Sequence, residues 1–342
     1  MSQQSNAPKG ETLTEAPVRR RLRIGDAVFR DTTVVVSLGL IGLLGSILFV
    51  LLVAALPAFR AFGVWGFITS TSWNGVTDTY GALPFIYGTL MTSTFAIVLA
   101  LPISVGLALL LNEVKSGWIR NPLTVLIDLL AAIPSVVYGL WGIFIMAPFL
   151  NTYVEPALGA TLGQIPVIGA LFQPTPSAGN MFNAGIILAI MIIPIITAVS
   201  REVIAIVPRD LREAALAMGA TRYETIKIAV LPYARSGIVG ATMLGLGRAL
   251  GETVAVAMLI GNGLGIQASL FAPAYPIPAV IANEFREATS VGLHRSALLA
   301  LAVILVVISF FLAAVSRVLV GGSVAKTGKP EPLLDPAEGD VQ

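Results

Sequence analysis

The stretch VVVSLGLIGLLGSILFVLLVAAL, residues 34–56, contains no charged side chain. At 1.5 Å per residue a helix of this length reaches ~35 Å, enough to cross a hydrocarbon core about 30 Å thick. A helix on the surface of a soluble protein keeps a polar stripe, because one face meets water. This run is apolar all round and reads as a membrane span. The residues before it are polar and basic, and the run is too long for the apolar part of a signal peptide, so it reads as a retained first helix.

Working outward, five further stretches have the same character: 83–111, 123–150, 182–198, 238–260 and 297–320. The expected fold is therefore all-α and polytopic, with six transmembrane helices. Pro102, Pro134 and Pro194 fall inside spans. Each removes an intrahelical hydrogen bond and is expected to kink its helix. The composition agrees. Of the 342 residues, 56% are hydrophobic and 12% charged, whereas a soluble protein carries about 25% charged residues. The expected organisation is a cytoplasmic N-terminal segment (1–33), a transmembrane domain (34–320) and a cytoplasmic tail (321–342).

Several function classes drop out. There is no cysteine and one histidine, His294, so thiol chemistry, disulfides and histidine-cluster metal sites are excluded. The net charge of +2 does not indicate a nucleic-acid partner. No G-x-x-x-x-G-K-[ST] loop is present, so ATP is not bound by that route. No nucleophile–base pair appears in the spans, which argues against an intramembrane enzyme.

Lysine and arginine set the orientation. Seventeen lie before span one, between spans two and three, between spans four and five, or after span six; three lie in the other loops. Both termini are therefore expected in the cytoplasm. The basic run Val18–Arg30 reads as a topology anchor on anionic lipid or as a surface amphipathic helix. Trp65, Trp73 and Tyr80 in the first external loop suit an interfacial aromatic belt. The segments 151–180 and 262–295 read as external loops, His294 as a solvated surface residue, and the tail from Lys326 as disordered. Asp128 is given no functional role.

The most informative loop is PRDLREAALAMGATRYETIKIAVLP, residues 208–232. Asp210 with Glu213, and Thr221 with Glu224, have capping-box spacing, and Gly219 is a good residue to follow a helix end. Two short helices meeting near Gly219 are expected, with Pro232 limiting the second. Ala214, Ala215 and Ala217 offer a small-residue surface flanked by Leu211 and Met218. An ordinary amphipathic surface loop is the alternative.

This loop resembles the E-A-A-x3-G-x9-I-x-L-P signature of ATP-binding-cassette importer permeases, at Glu213, Ala214, Ala215, Gly219, Leu231 and Pro232. Ala229 stands where the signature has isoleucine. The resemblance implies that Leu211, Glu213, Ala214, Ala215, Met218 and Gly219 dock on an ATPase subunit.

The second informative segment is GLGRALGET, residues 245–253. Arg248 and Glu252 fall near the centre of span five, where a charge costs about 2.5–3.5 kcal/mol. Their i, i+4 spacing places them on one face. Gly247 and Gly251 form a G-x-x-x-G, which lets another helix approach. The pair is either a neutralising ion pair that fixes packing or part of a solute path. A guanidinium fork suits a tetrahedral oxyanion. A carboxylate beside it suits an anion that keeps a proton, as phosphate does at neutral pH and sulfate does not.

GLGRALGET, LPFIYGTL (83–90), IPSVVYGLW (133–141) and FITSTSWN (67–74) together resemble the C-type subunit of phosphate-specific ATP-binding-cassette permeases, over about residues 20–320. The resemblance implies a MetI-like type I importer fold in the bacterial inner membrane, with Arg248, Glu252 and Thr253 on the substrate path. It implies an A-type permease partner forming a heterodimer, two ATPase subunits carrying ATP and magnesium, and an external phosphate-binding protein. No cofactor is expected on this chain. A permease for sulfate or molybdate, the A-type subunit itself, and a channel or sensor are the alternatives.

Overall fold

The computed structural model describes residues 24–114, 116–175, 177–288 and 292–324. The basic run up to Arg23, Lys115 and the tail from Lys326 lie outside the described residues. Two units are distinguished, one ending at Val50 and one beginning at Leu51. The first is the leading part of helix α1 (Ile24–Phe62), an apolar helix with no charge after Asp31 until Arg60.

In the second unit α1 continues past Pro57 to Phe62, so the external loop, expected from Pro57 after the span 34–56, starts six residues late. It contains α2 (Val64–Thr69) and a two-residue hairpin, β1 (Trp73–Asn74) with β2 (Thr79–Tyr80). Then follow α3 (Leu83–Glu113), α4 (Gly117–Ala132), α5 (Ser135–Trp141), α6 (Ala147–Phe149), α7 (Glu155–Thr161), α8 (Met181–Ala205), α9 (Arg209–Ala217), α10 (Arg222–Thr225), α11 (Leu231–Gly251), α12 (Val254–Leu259), α13 (Ile277–Glu284) and α14 (Leu293–Val324). Among the described residues, six helical stretches are long and apolar enough to cross a membrane.

The most buried of the six is α8, with α3 and α11 packed along it. Its Ile187, Ile192 and Ile196 share one buried core with Ala96 and Ala100 of α3 and Ala241 and Ala249 of α11. Small residues opposite large ones bring backbones close, which is how helices gain packing where lipid offers no hydrophobic drive. At Gly245 an added Cβ would lie 2.6 Å from Ile196 Cγ1. Ser104 Oγ of α3 donates to the Ile193 carbonyl at 3.2 Å, a cross-link within the apolar layer.

The third span departs from expectation. Ile133 and Pro134 both take extended ψ values, 128° and 142°, so the helix breaks there instead of kinking. Proline disfavours helical geometry in the residue before it, and Pro134 also lacks an N–H to donate. The stretch that qualifies as a span is Ser135–Gln164, running further into the expected 151–180 loop than its apolar run suggested. It includes π turns at Gly142–Met146 and Leu150–Val154.

The segment 262–295 is not a surface loop throughout. Leu270, Phe271, Ala272, Ala274 and Tyr275 are buried. They cap the end of α8 remote from α9: the N–H groups of Met181 and Phe182 donate to Ala272 and Leu270 carbonyls at 3.1 and 2.8 Å. Asn180 Oδ1 accepts from Asn183 N at 2.9 Å. The orphan donors of the first turn are thus met by folded-back chain.

The aromatic residues near this end pack inward. Tyr80 is buried, and Trp73 lies 4.9 Å from Tyr80 and 4.6 Å from Phe85 between ring centroids; only Trp65 of the three is exposed as a belt residue would be. His294, expected to be solvated, stacks on Tyr80 at 5.4 Å. Its Nε2 lies 3.0 Å from Glu284 Oε2, which also accepts from Trp73 Nε1 at 2.9 Å. Burial first, then the Asp78 carboxylate, push the Tyr80 phenol up from 10.0 to about 12.

Candidate functional site

Helix α11 has two unlike faces. Ala234, Ala241, Gly245 and Ala249, spaced by seven and four, are buried. Gly240, Leu244, Gly247, Arg248 and Gly251 are exposed on the other side. An added Cβ at Gly247 or Gly251 would meet nothing within 4 Å, so the G-x-x-x-G receives no helix from among the described residues. The close approach falls at Gly245 instead.

Arg248 sits on that face. Gly245, one turn earlier, abuts Ile192 and Ile196, midway along α8, so Arg248 emerges at mid-height of the bundle. Its Nη2 lies 3.2 Å from Glu252 Oε2, with side-chain exposures of 49% and 4%. The sequence expectation of a facing i, i+4 pair is met, but the two groups are unequal: the carboxylate is buried and the guanidinium is half open.

The expected uninterrupted span 238–260 is broken just here. Glu252 takes ψ 125° and ends α11; α12 begins at Val254. The chain continues beside α8, since the Leu259 carbonyl accepts from Asn180 N at 2.9 Å. Thr253 Oγ1 donates to the Gly251 carbonyl at 3.2 Å, satisfying an acceptor at the break. Glu252 Oε1 lies 3.5 Å from Ala255 N. Glu252 is thereby held by the break, and it holds Arg248. A guanidinium has five N–H donors, and the contact with Glu252 engages one nitrogen.

The second candidate region is 208–232. Helix α9 ends in a full Schellman motif: Ala220 N donates to Ala215 O at 3.2 Å and Gly219 N to Leu216 O at 2.9 Å. Gly219 has φ +86°, a conformation that glycine adopts without a Cβ clash. The Thr221–Glu224 capping box forms in both directions. The Asp210–Glu213 box does not: Pro208 is the N-cap and no side chain caps it. Pro232 does not stop the second helix. The π turn Ile226–Val230 lies just before it, with Leu231 N donating to Ile226 O, and the helix runs on as α11. Skipping one residue in the ladder lets the chain pass a residue without an N–H.

The faces of α9 sort the expected docking residues. Leu211, Glu213, Ala214, Met218 and Gly219 are exposed, Met218 at 90%. Ala215 is buried, on the side where α9 packs on the π turn, so it supports the surface without belonging to it. Behind it, Arg212 Nη1 pairs with Glu113 Oε1 at 2.6 Å and Nη2 donates to Ile204 O at 3.2 Å. Neither contact was legible from spacing, because the partners lie 99 and 8 residues away. Asp128 is exposed and forms no ion pair among the described residues. No group of three metal-ligating side chains occurs among the described residues.

Comparison with known proteins agrees with this architecture. The sequence profile described as "Binding-protein-dependent transport system inner membrane component" matches residues 100–322. The chain is 43% identical over 325 residues to a phosphate transport system permease protein PstC of Mesorhizobium japonicum, covering 95% of this chain and 98% of that one. It is 46% identical over 253 residues to the protein of that name from Xylella fastidiosa, covering 74% and 78%. Among solved structures it shares its fold with a bacterial ABC transporter that imports the acidic polysaccharide alginate (TM-score 0.52, 21% identity, covering 87% and 99%). It also resembles the MetNI methionine ABC transporter in an inward-facing conformation (TM-score 0.51, 18% identity, covering 70% and 94%). With its multi-pass helical bundle and exposed E-A-A loop, the chain belongs to the family of binding-protein-dependent transport system inner membrane components.

Proposed function

We propose that this chain is the membrane-spanning permease subunit of an ATP-driven importer of inorganic phosphate, lining half of the translocation path with the open face of α11. The observation that carries this reading is the half-open guanidinium of Arg248 at mid-height of the bundle, held by the buried carboxylate of Glu252. An arginine there is costly against lipid and favourable against an oxyanion. Relatives of 43–46% identity named as phosphate transport permeases support the substrate. Arg248 is the group that meets the anion, Glu252 positions it and favours a solute that keeps a proton, and Thr253 borders the break.

A second, A-type permease subunit covers the open α11 face, forming a heterodimer. Two ATPase subunits, which carry ATP and magnesium, dock on Leu211, Glu213, Ala214, Met218 and Gly219, with Ala215 beneath them. A phosphate-binding protein delivers substrate at the far end. The chain sits in the inner membrane with the 208–232 segment and both termini in the cytoplasm.

The test is phosphate uptake by the reconstituted complex. Losing a charge-assisted contact worth about 3 kcal/mol lowers uptake on the order of 100-fold in Arg248→Gln, with ATPase binding retained. Glu252→Gln is expected to be less severe and to admit competition by sulfate. Wild-type uptake in both variants would remove the pair from the path.

A further inference from the structure

A cavity of about 520 Å³ lies between α3, α4 and the last turns of α8, at the end of the bundle that carries α9. Two arginines from different helices line it, Arg120 of α4 and Arg201 of α8, with Asn112, Asn121 and Thr124 beside them. Glu202 is its one acidic lining residue. Among the described residues neither arginine has a carboxylate within ion-pair distance. The wall is built: Asn112 Nδ2 donates to the Ala108 and Arg201 carbonyls at 2.9 and 3.1 Å, and Thr124 Oγ1 to the Arg120 carbonyl at 2.9 Å.

The outer side of α4 is apolar and uncovered. Trp118 is 86% exposed, and Ile119, Leu126 and Leu129 are exposed as well. A site that joins two guanidinium groups to an open apolar helix face matches an amphiphile with an anionic head. The geometry points to a binding site for an anionic phospholipid, its phosphodiester held by Arg120 and Arg201 and its acyl chains against α4. Arginine pairs suit phosphate oxygens, and basic pockets between spans on the cytoplasmic side hold such headgroups. Free inorganic phosphate shares the headgroup chemistry but would leave the apolar face bare. The site is remote from Arg248 and independent of the transported solute. It adjoins the junction where Glu113 meets Arg212.

The experiment titrates dioctanoyl phosphatidylglycerol into the purified, detergent-solubilised complex and follows binding by thermophoresis. Saturable binding is expected. Removal of both positive charges in Arg120→Gln/Arg201→Gln weakens it about 30-fold. Arg120 is exposed, so Arg120→Gln alone keeps the melting temperature of the complex and still weakens binding measurably. Trp118→Ala weakens binding without a change in charge. The proposal is overturned if Arg120→Gln binds as wild type, if dioctanoyl phosphatidylcholine binds equally well, or if inorganic phosphate displaces the lipid at equal concentration.

Discussion

Glu113, the last residue of α3, and Arg212, in α9, form an ion pair at 2.6 Å, and the same guanidinium donates to the Ile204 carbonyl at the end of α8. One side chain therefore ties the exposed helix to two spans. A force on α9 reaches the bundle through this junction as well as through the continuous helix into α11. The pair is partly exposed, so its contribution to stability is about 1 kcal/mol. Its value lies in direction.

Arg212→Gln is accordingly expected to leave folding and ATPase binding near wild type while lowering uptake per ATP hydrolysed several-fold. The double variant Glu113→Arg/Arg212→Glu is expected to recover part of the loss. Measuring transport and hydrolysis in the same vesicles separates the two, and an unchanged ratio in Arg212→Gln would count against the junction.

Gly219 holds the turn between the two short helices at φ +86°. An alanine there meets no neighbour within 4 Å, so the strain is in the backbone alone, about 1–2 kcal/mol. Gly219→Ala is expected to weaken ATPase association with little change in the melting temperature of the transmembrane bundle. Gly219→Asn, which tolerates that conformation better, is expected to lie between the two.

Gly245 and Gly247 provide a contrast between opposite faces of one helix, the first buried and the second exposed. Gly245→Val drives a side chain into Ile196, which is fully buried, and overpacking of this kind costs about 1–3 kcal/mol. Gly247→Ala faces open space in this chain. The expected result is a lowered melting temperature for the first and an unchanged one for the second when the chain is studied without its partner. In the assembled complex Gly247→Ala is expected to perturb transport.

How much of this could be read from the chain alone depended on what kept each feature local. The Gly219 turn, the Thr221–Glu224 box and the facing of Arg248 and Glu252 rest on residues a turn or so apart, and the sequence reading located them. The breaks at Ile133–Pro134 and Glu252–Thr253 were hidden because a hydropathy window responds to side chains and not to backbone dihedrals. The burial of Leu270, Phe271, Ala272, Ala274 and Tyr275 and the partial burial of His294 depend on partners far along the chain, in 171–182 and in Trp73 and Tyr80, and left no periodic signal. Ala215 looked like its neighbours Ala214 and Ala217, and only the packing of α9 on the π turn separates it from them.

The cluster around Tyr80 makes a pH prediction. Its folded pKa of about 12 lies above the ordinary 10.0, so the neutral phenol is favoured by the fold. The associated stability is fully present below pH 10 and is lost as pH rises from 10 toward 12. Thermal denaturation of the complex across that window is expected to show a decline that Tyr80→Phe flattens.

Thiol labelling distinguishes an open α11 face that lines a wet path from one that meets lipid. The chain has no cysteine of its own, so Gly247→Cys and Gly251→Cys place single probes either side of Arg248, and Val307→Cys on the exposed apolar side of α14 serves as the lipid control. With the complete importer in vesicles, and labelling of this chain read by mass spectrometry, a membrane-impermeant charged thiol reagent is expected to modify both α11 probes. Phosphate is expected to slow the reaction, and Val307→Cys to stay unmodified. If the two α11 probes prove as inert as Val307→Cys in both nucleotide-free and ATP-bound states, the wet path is contradicted.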